Sequence, residues 1–371
     1  MKIGFEAKRA FYNRGGLGNY SRNTIEILSK YYPQNSYYLF TPSVENAVNF
    51  KKAENVKTVI PKLFLSKTFK SYWRTVRLSK KIREYKLDIF HGLSGELPYK
   101  SDKRNNTKLI VTIHDLIFLR YPELYRPVDR KIYFHKAKYA CEIADTIIAV
   151  SEQTKTDIIN FLDIPDNKTE VVYQGCNSIF YNEVDTNKKI EVTQKYNLPE
   201  KYILNVGTVE KRKNTLSVLK ALKHGKTETE FVIVGKKTDY QNELEKYAEE
   251  NNLADKLTIL NDVPSEDLPA IYQQAELFVY PSFFEGFGIP LIEALYSKIP
   301  VITTKGGVFS ETGGLSSIYI DPENYEQLAE AINNVLNDKK LREKMISEGY
   351  DFVQKFNEEK IASNLMNVYL K

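Results

Sequence analysis

The stretch Pro281-Ser-Phe-Phe-Glu-Gly-Phe-Gly-Ile-Pro-Leu-Ile-Glu-Ala-Leu295 holds two glutamates, Glu285 and Glu293, and Gly286, Phe287 and Gly288 follow the first of them directly. Upstream, Leu277-Phe-Val-Tyr280 reads as a buried strand; downstream, Leu291, Ile292, Ala294 and Leu295 read as one turn after another of a helix. Pro290 suits a first helical turn, where its missing N–H costs nothing. The segment is therefore strand, glycine turn, helix N-terminus. Such a terminus offers unpaired backbone N–H groups and the positive end of a dipole, which suits a phosphate. The glycines allow a ligand close to the backbone. Two acceptor-only carboxylates make little sense for phosphate alone. They make sense for a ligand with phosphates in the middle and hydroxyls at both ends, as in a nucleotide sugar.

Outward from this stretch, apolar runs alternate with helical patterns. The expected strands are Ile3–Phe5, Tyr37–Phe40, Asp88–Phe90, Leu109–Ile113 and Thr146–Val150, then Tyr202–Val206, Phe231–Val234, Leu257–Leu260, Leu277–Tyr280 and Val301–Thr303. Strand–helix alternation predicts parallel sheets covered on both faces, with ligands at the C-terminal ends of strands. It occurs twice, and 371 residues exceed the size at which one core stops growing. The reading is α/β, two doubly wound Rossmann-like domains. The first spans 1–182 and takes back a C-terminal helix at about 352–371; the second spans 183–351.

Composition narrows the classes. No apolar run approaches the roughly 20 residues needed to span a bilayer, and the chain opens directly on a strand with no leader pattern. Two cysteines, Cys141 and Cys176, have no metal or redox spacing, so a cytoplasmic location is expected. Net charge is +5, but residues 1–150 hold 28 Lys and Arg against 13 Asp and Glu, while the rest holds 25 against 35. A basic first half suits an anionic acceptor or surface. Lys62–Lys86 concentrates this charge among Phe64, Phe69, Tyr72 and Trp73. It reads either as an amphipathic stretch on an anionic membrane, peripheral to the inner face of the plasma membrane, or as a helix with an ordinary core face. No nucleic-acid motif accompanies it.

Further residues carry chemistry. In Asn205-Val-Gly-Thr-Val-Glu-Lys-Arg-Lys-Asn214, Gly207 ends a strand, and Arg212 and Lys213 precede a helix, where a fork and a point charge suit a diphosphate. Asn13-Arg-Gly-Gly-Leu-Gly-Asn-Tyr20 places Gly15 and Gly16 in a turn entering a helix. The acid that a dinucleotide fingerprint wants after the second strand is missing from Tyr37-Tyr-Leu-Phe-Thr-Pro42, which disfavours a nicotinamide cofactor. His114 and Asp115 end a strongly apolar strand, where His114 reads as an acid/base or hydrogen-bonding group, or as a loop histidine beside a capping Asp115. His91 ends another strand and is a second acceptor-side candidate, with Asp115. There is no Asp-x-Asp pair for a divalent metal, so neither metal nor cofactor is expected.

With Glu285–Glu293, Val206-Gly-Thr-Val-Glu-Lys-Arg-Lys-Asn214, Val150-Ser151, Tyr173-Gln-Gly175 and Thr112-Ile-His-Asp115 in place, the chain resembles the retaining glycosyltransferases of family 4, or glycosyl transferases group 1, which have the GT-B fold. Within it, the resemblance is to bacterial polysaccharide mannosyltransferases. It implies two domains facing a cleft and a metal-independent hexose transfer with retention. The donor would be a nucleotide diphosphate sugar, GDP-mannose or a UDP-hexose. The acceptor would be a saccharide or polyprenyl-linked saccharide. Glu293 would hold the ribose and Glu285 the donor sugar. Arg212, Lys213 and the backbone of Gly286–Gly288 would hold the diphosphate, with Gly15 and Gly16 near phosphate and acceptor and His114 beside the reacting sugar. One departure is Thr208, where many members carry Arg after the glycine. A nucleotide-sugar epimerase of similar architecture and a non-catalytic sugar- or lipid-binding scaffold are the alternatives.

Overall fold

The computed structural model describes residues 1–48, 50, 52–61, 77–99 and 106–371. It divides into two units: Met1–Gly175 with Glu358–Lys371, and Cys176–Asn357.

The first unit is built on a seven-stranded parallel sheet in the order β3-β2-β1-β4-β5-β6-β7. The strands are β1 Lys2–Glu6, β2 Ser36–Phe40, β3 Val56–Val59, β4 Ile89–Gly92, β5 Lys108–Ile113, β6 Thr146–Ala149 and β7 Thr169–Val171. Successive side chains on a strand point to opposite faces, and here both faces are covered. Leu39, Ile89, Ile110 and Ile148 enter one core with Ile25, Leu28, Ile361 and Leu365. Their neighbours Phe40, Phe90, Val111 and Ile147 enter the other with Ala140, Cys141 and Ile158. Gly4 of β1 faces that second layer, where a Cβ would stand 2.4 Å from Leu87 Cδ1. The closing helix Glu358–Leu370 lies along helix Gly16–Tyr31, tied by Lys30 to Glu358 at 2.7 Å.

The second unit repeats the plan with six parallel strands in the order β10-β9-β8-β11-β12-β13. They are β8 Tyr202–Val206, β9 Glu230–Val234, β10 Leu257–Leu260, β11 Leu277–Tyr280, β12 Val301–Thr304 and β13 Ile318–Ile320. In each sheet the strand order reverses beside the first strand, between β1 and β4 and between β8 and β11. In open α/β sheets ligands sit in the crevice at such a reversal. The loops that open there in the second unit are those carrying Gly207–Lys213 and Pro281–Gly288.

The division falls at Gly175–Cys176 and Asn357–Glu358, not at 182 and 351. Aromatic packing moves both borders. Phe180 stacks edge-on against Tyr272 at 5.5 Å, and Tyr181 meets Tyr296 at 4.4 Å. Phe356 packs against Phe287 and Phe352, and Lys355 donates to the Glu311 carbonyl. Both flanking segments therefore belong to the second unit. Of the basic stretch Lys62–Lys86, residues 62–76 lie outside the described residues. The described part forms helix Leu78–Glu84, which turns Leu78 and Ile82 into the core.

Candidate functional site

At the end of β8 the chain turns at Gly207 and runs through a short 3-10 turn, Lys211–Lys213, into helix Thr215–Gly225. The turn folds Lys213 inward. Its Nζ donates to Glu285 Oε1 at 2.6 Å and to the Tyr280 hydroxyl at 2.7 Å, and Lys213 is only 8% exposed. Gly207 makes the room: a Cβ there would stand 3.3 Å from Lys213 Cε. Arg212 spans the same loops, donating to the Phe284 carbonyl, to Glu210 Oε1 at 2.6 Å and to Glu285 Oε1 at 2.9 Å. Asn214 stitches the turn to its neighbours by donating to the carbonyls of Pro281 and Pro322.

Glu285 is 8% exposed, and both of its cation contacts fall on Oε1. Burial alone would raise its pKa, but Lys213 and Arg212 outweigh burial and hold it below the usual carboxylate range. Burial pulls Lys213 down, against the attraction of Glu285. Burial also opposes the charge on Arg212, yet Glu285 and Glu210 raise its pKa overall. One buried carboxylate thus holds two cations together at the strand end, with Glu210 on the far side of Arg212, and the two cations are the groups there that can meet an anion.

Gly288 caps helix Ile289–Tyr296 in the left-handed region, φ 93°, with Pro290 in the first turn and no side-chain cap. Only glycine takes that conformation without strain, so the turn is specified by sequence. Phe287 is buried against Phe356, so whatever it offers a ligand is backbone. Glu293 lies one turn into the helix, half-buried, and accepts one hydrogen bond from the Tyr272 hydroxyl at 2.8 Å. Burial pushes its carboxyl up to about 7, against the hydrogen bond from Tyr272.

The structure thus brings Gly207, Arg212, Lys213, Glu285 and the Gly286–Gly288 turn to one end of the second sheet, with Glu293 on the adjoining helix. Tyr280, Tyr272 and Glu210 belong with them and were not singled out from sequence. A tyrosine buried at a strand end must place its hydroxyl on a partner, which is the signal Tyr280 carried.

In the first unit, Gly15 precedes helix Gly16–Tyr31, and its N–H donates to Asn13 Oδ1. Gly18 is needed for packing, since its Cβ would meet the Asn13 carbonyl oxygen at 1.8 Å; a Cβ on Gly16 would meet nothing within 4 Å. His114 is half-buried beyond β5, edge-on to Tyr20 at 4.5 Å, and its Nε2–H donates to the Leu93 carbonyl at 2.9 Å. Burial lowers its pKa to about 4, against the pull of that carbonyl. The ring is neutral at pH 7, and Nδ1 therefore carries a lone pair that accepts rather than donates. Asp115 accepts from the Ile117 N–H at the start of the short helix Ile117–Arg120, one residue before its N-cap Leu116.

His91 does not serve as an acceptor-side group. It is fully buried, its Nδ1 is 2.7 Å from the Tyr369 hydroxyl and its Nε2 is 2.7 Å from Thr112 Oγ1. Burial lowers its pKa to about 3. Both ring nitrogens are occupied in a chain that continues from Thr112 to the Tyr20 hydroxyl at 3.0 Å, so His91 ties the closing helix to the sheet.

Two doubly wound units, the second with a buried cation pair and a glycine-capped helix at its sheet reversal, define the GT-B class of α/β transferases. The sequence matches Glycosyltransferase Family 4 over residues 14–178 and Glycosyl transferases group 1 over residues 187–352. It is 28% identical to O-antigen chain mannosyltransferase B of Escherichia coli over 100% of this chain and 99% of that protein. It is 30% identical to O-antigen chain mannosyltransferase RfbU of Salmonella typhimurium over 71% of this chain and 69% of that protein. Sucrose-phosphate synthase from Thermosynechococcus elongatus superposes with a TM-score of 0.80 at 21% identity, covering 100% of this chain and 98% of that one. Anabaena HepE in complex with UDP and glucose superposes at 0.74 and 18% identity, covering 99% of each. The chain belongs to the glycosyl transferases group 1 family and is a glycosyltransferase.

Proposed function

We propose that the protein transfers a hexose, mannose in the first instance, from a nucleotide diphosphate sugar to a saccharide or lipid-linked saccharide in polysaccharide synthesis, retaining anomeric configuration without a metal. The observation that carries this reading is the Arg212–Lys213–Glu285 cluster beside a glycine-capped helix. It offers two cations and backbone N–H groups to a diphosphate, with a carboxylate on each side for hydroxyls. The mannosyltransferase relatives supply the sugar preference.

The bond broken joins the anomeric carbon to the diphosphate oxygen. Arg212, Lys213 and the helix N-terminus stabilise charge growing on that oxygen, and the oxygen takes the proton of the attacking acceptor hydroxyl on the same face. Glu285 positions the sugar and Glu293 the ribose. Within the first unit, His114 is assigned to accepting a hydrogen bond from a saccharide hydroxyl through Nδ1, and the Gly15–Gly16 turn to substrate binding.

Two measurements test this. A thermal-shift panel of nucleotide diphosphates and their sugars is expected to give a rise with one base at low concentration, and guanine is the leading candidate. A panel with no shift at all would sink the donor assignment. Transfer from the shifting donor, followed with and without EDTA, should be equal in the two arms. Loss with EDTA would refute the metal-free route, and altered donor appearing without any acceptor would favour the epimerase.

Glu293 adds a pH dependence. Ribose hydroxyls donating to its carboxylate favour the charged form, so binding lowers a pKa that stands near 7 in the free protein. Donor affinity should therefore weaken as pH falls below about 7, by up to roughly tenfold per unit. Glu293→Gln should flatten that slope when a nucleotide sugar, which has no terminal phosphate titrating there, is the ligand in calorimetry. Stability runs the other way. The folded carboxyl keeps a proton that the unfolded one releases near 4.5. Stability therefore falls as pH rises from about 4.5 to about 7, by up to about 1.4 kcal/mol per unit.

A further inference from the structure

Helix Pro127–Ile143 in the first unit turns an apolar stripe to solvent. Its inner face is ordinary, with Ala137, Ala140 and Cys141 buried in the core. On the outside, Val128, Lys131, Ile132 and His135 follow one another at the spacing of a single helical face, and all four are exposed. Val128 is 68% exposed and Ile132 45%; Leu124, in the 3-10 turn just before, is 48% exposed. A surface helix normally puts polar residues on that face, and core packing gives no reason for aliphatic side chains there.

The charge around the stripe is selective. Arg120 is paired with Asp157, Lys136 with Glu96 and Lys138 with Asp163. Arg126 and Lys131, which flank the aliphatic residues, have no acid within ion-pair distance among the described residues. The acids in the same segment are Glu123, exposed, and Asp129, half-buried. Residues 1–150, the bulk of this unit, hold 28 cations against 13 acids, whereas the rest of the chain is net acidic. Among the described residues no helix is long and apolar enough to cross a membrane.

We propose that Leu124, Val128 and Ile132, flanked by Arg126 and Lys131, form the surface by which the first unit docks on an anionic lipid bilayer. The aliphatic side chains enter the interface while the two cations meet lipid phosphates. A second copy is the poorer occupant, because a two-fold contact brings two copies of the same patch together, each with the cations Arg126 and Lys131, unpaired among the described residues. None of these residues belongs to the Lys62–Lys86 stretch, whose described helix turns Leu78 and Ile82 into the core. It stands independently of the donor-site reading.

The test is flotation with vesicles of phosphatidylglycerol and phosphatidylethanolamine, against vesicles of phosphatidylcholine alone. Wild type is expected to float with the anionic vesicles, less so at high salt. Val128→Glu/Ile132→Glu should weaken binding about tenfold or more, and Arg126→Gln/Lys131→Gln should remove most of the salt dependence. A nucleotide-induced rise in Tm retained by the first variant shows that it is folded, and reports on the donor site separately. As a gain-of-signal check, Val128→Trp in a Trp73→Phe background should give an emission blue shift with anionic vesicles. Unchanged flotation of Val128→Glu/Ile132→Glu overturns the proposal. So does light scattering that shows a wild-type dimer split by those substitutions, or loss of flotation in Lys70→Glu/Arg74→Glu with the stripe variants unaffected.

Discussion

Lys213→Ala is expected to lower the turnover of sugar transfer at least about a hundredfold, the scale on which removing one group that stabilises transition-state charge acts. Lys213 Nζ is buried between Glu285 and the Tyr280 hydroxyl at the end of β8, so its charge is neither screened by salt nor free to wander. Its loss leaves Glu285 still paired with Arg212, so the fold should survive with a modest fall in Tm. Lys213→Met separates the two roles. It keeps most of the length that packs against Gly207 and removes the charge with its two hydrogen bonds, so stability should return in part while turnover stays low. Turnover within about threefold of wild type in both variants would remove Lys213 from the chemistry, because a charge on the leaving diphosphate cannot be that dispensable.

The interior of each sheet was legible because its strands are buried on both faces and read as uninterrupted apolar runs. β1, β2, β4, β5 and β6, with β8, β9, β11 and β12, are interior and coincide with expected strands; β10 is a half-buried edge strand that its Leu-Thr-Ile-Leu run announced all the same. The three not anticipated, β3, β7 and β13, are edge strands of three or four residues with half-exposed positions, such as Thr-Glu-Val in β7. An edge strand owes its existence to its neighbour's open hydrogen bonds more than to its own pattern. The same distinction runs through the site. Glu285, Arg212, Lys213 and Gly288 lie in local motifs whose turn chemistry announces itself. Tyr272, Tyr280 and Glu210 acquire a role only when the loops after β8 and β11 are brought side by side. His91 and His114 gave one signal, a histidine ending an apolar strand. What separates them is Tyr369, 278 residues from His91 in sequence, which occupies the second ring nitrogen of His91.

Glu285→Ala should be the most damaging single change, for two reasons that can be measured apart. It leaves Arg212 and Lys213 side by side in a buried setting without the carboxylate that holds them, a loss of about 3 kcal/mol or more. The sign follows from its lowered pKa. The stability Glu285 contributes is present above its ordinary 4.5 and is lost as pH falls through the lower folded value. The gap in Tm between wild type and variant should therefore close in acid. A diphosphate brings back the missing negative charge, so a nucleotide diphosphate should raise the Tm of Glu285→Ala by more than it raises that of wild type. Turnover should nonetheless fall at least about a hundredfold even with the donor site saturated, because the charge is restored while the hold on the sugar is not. Glu285→Gln, which keeps the shape and can still bond a hydroxyl, should lose stability in the same way but retain more turnover than Glu285→Ala. If saturating donor instead restored wild-type turnover to the alanine variant, Glu285 would be a counterion to the two cations and nothing more, and the sugar contact would have to be sought on another side chain.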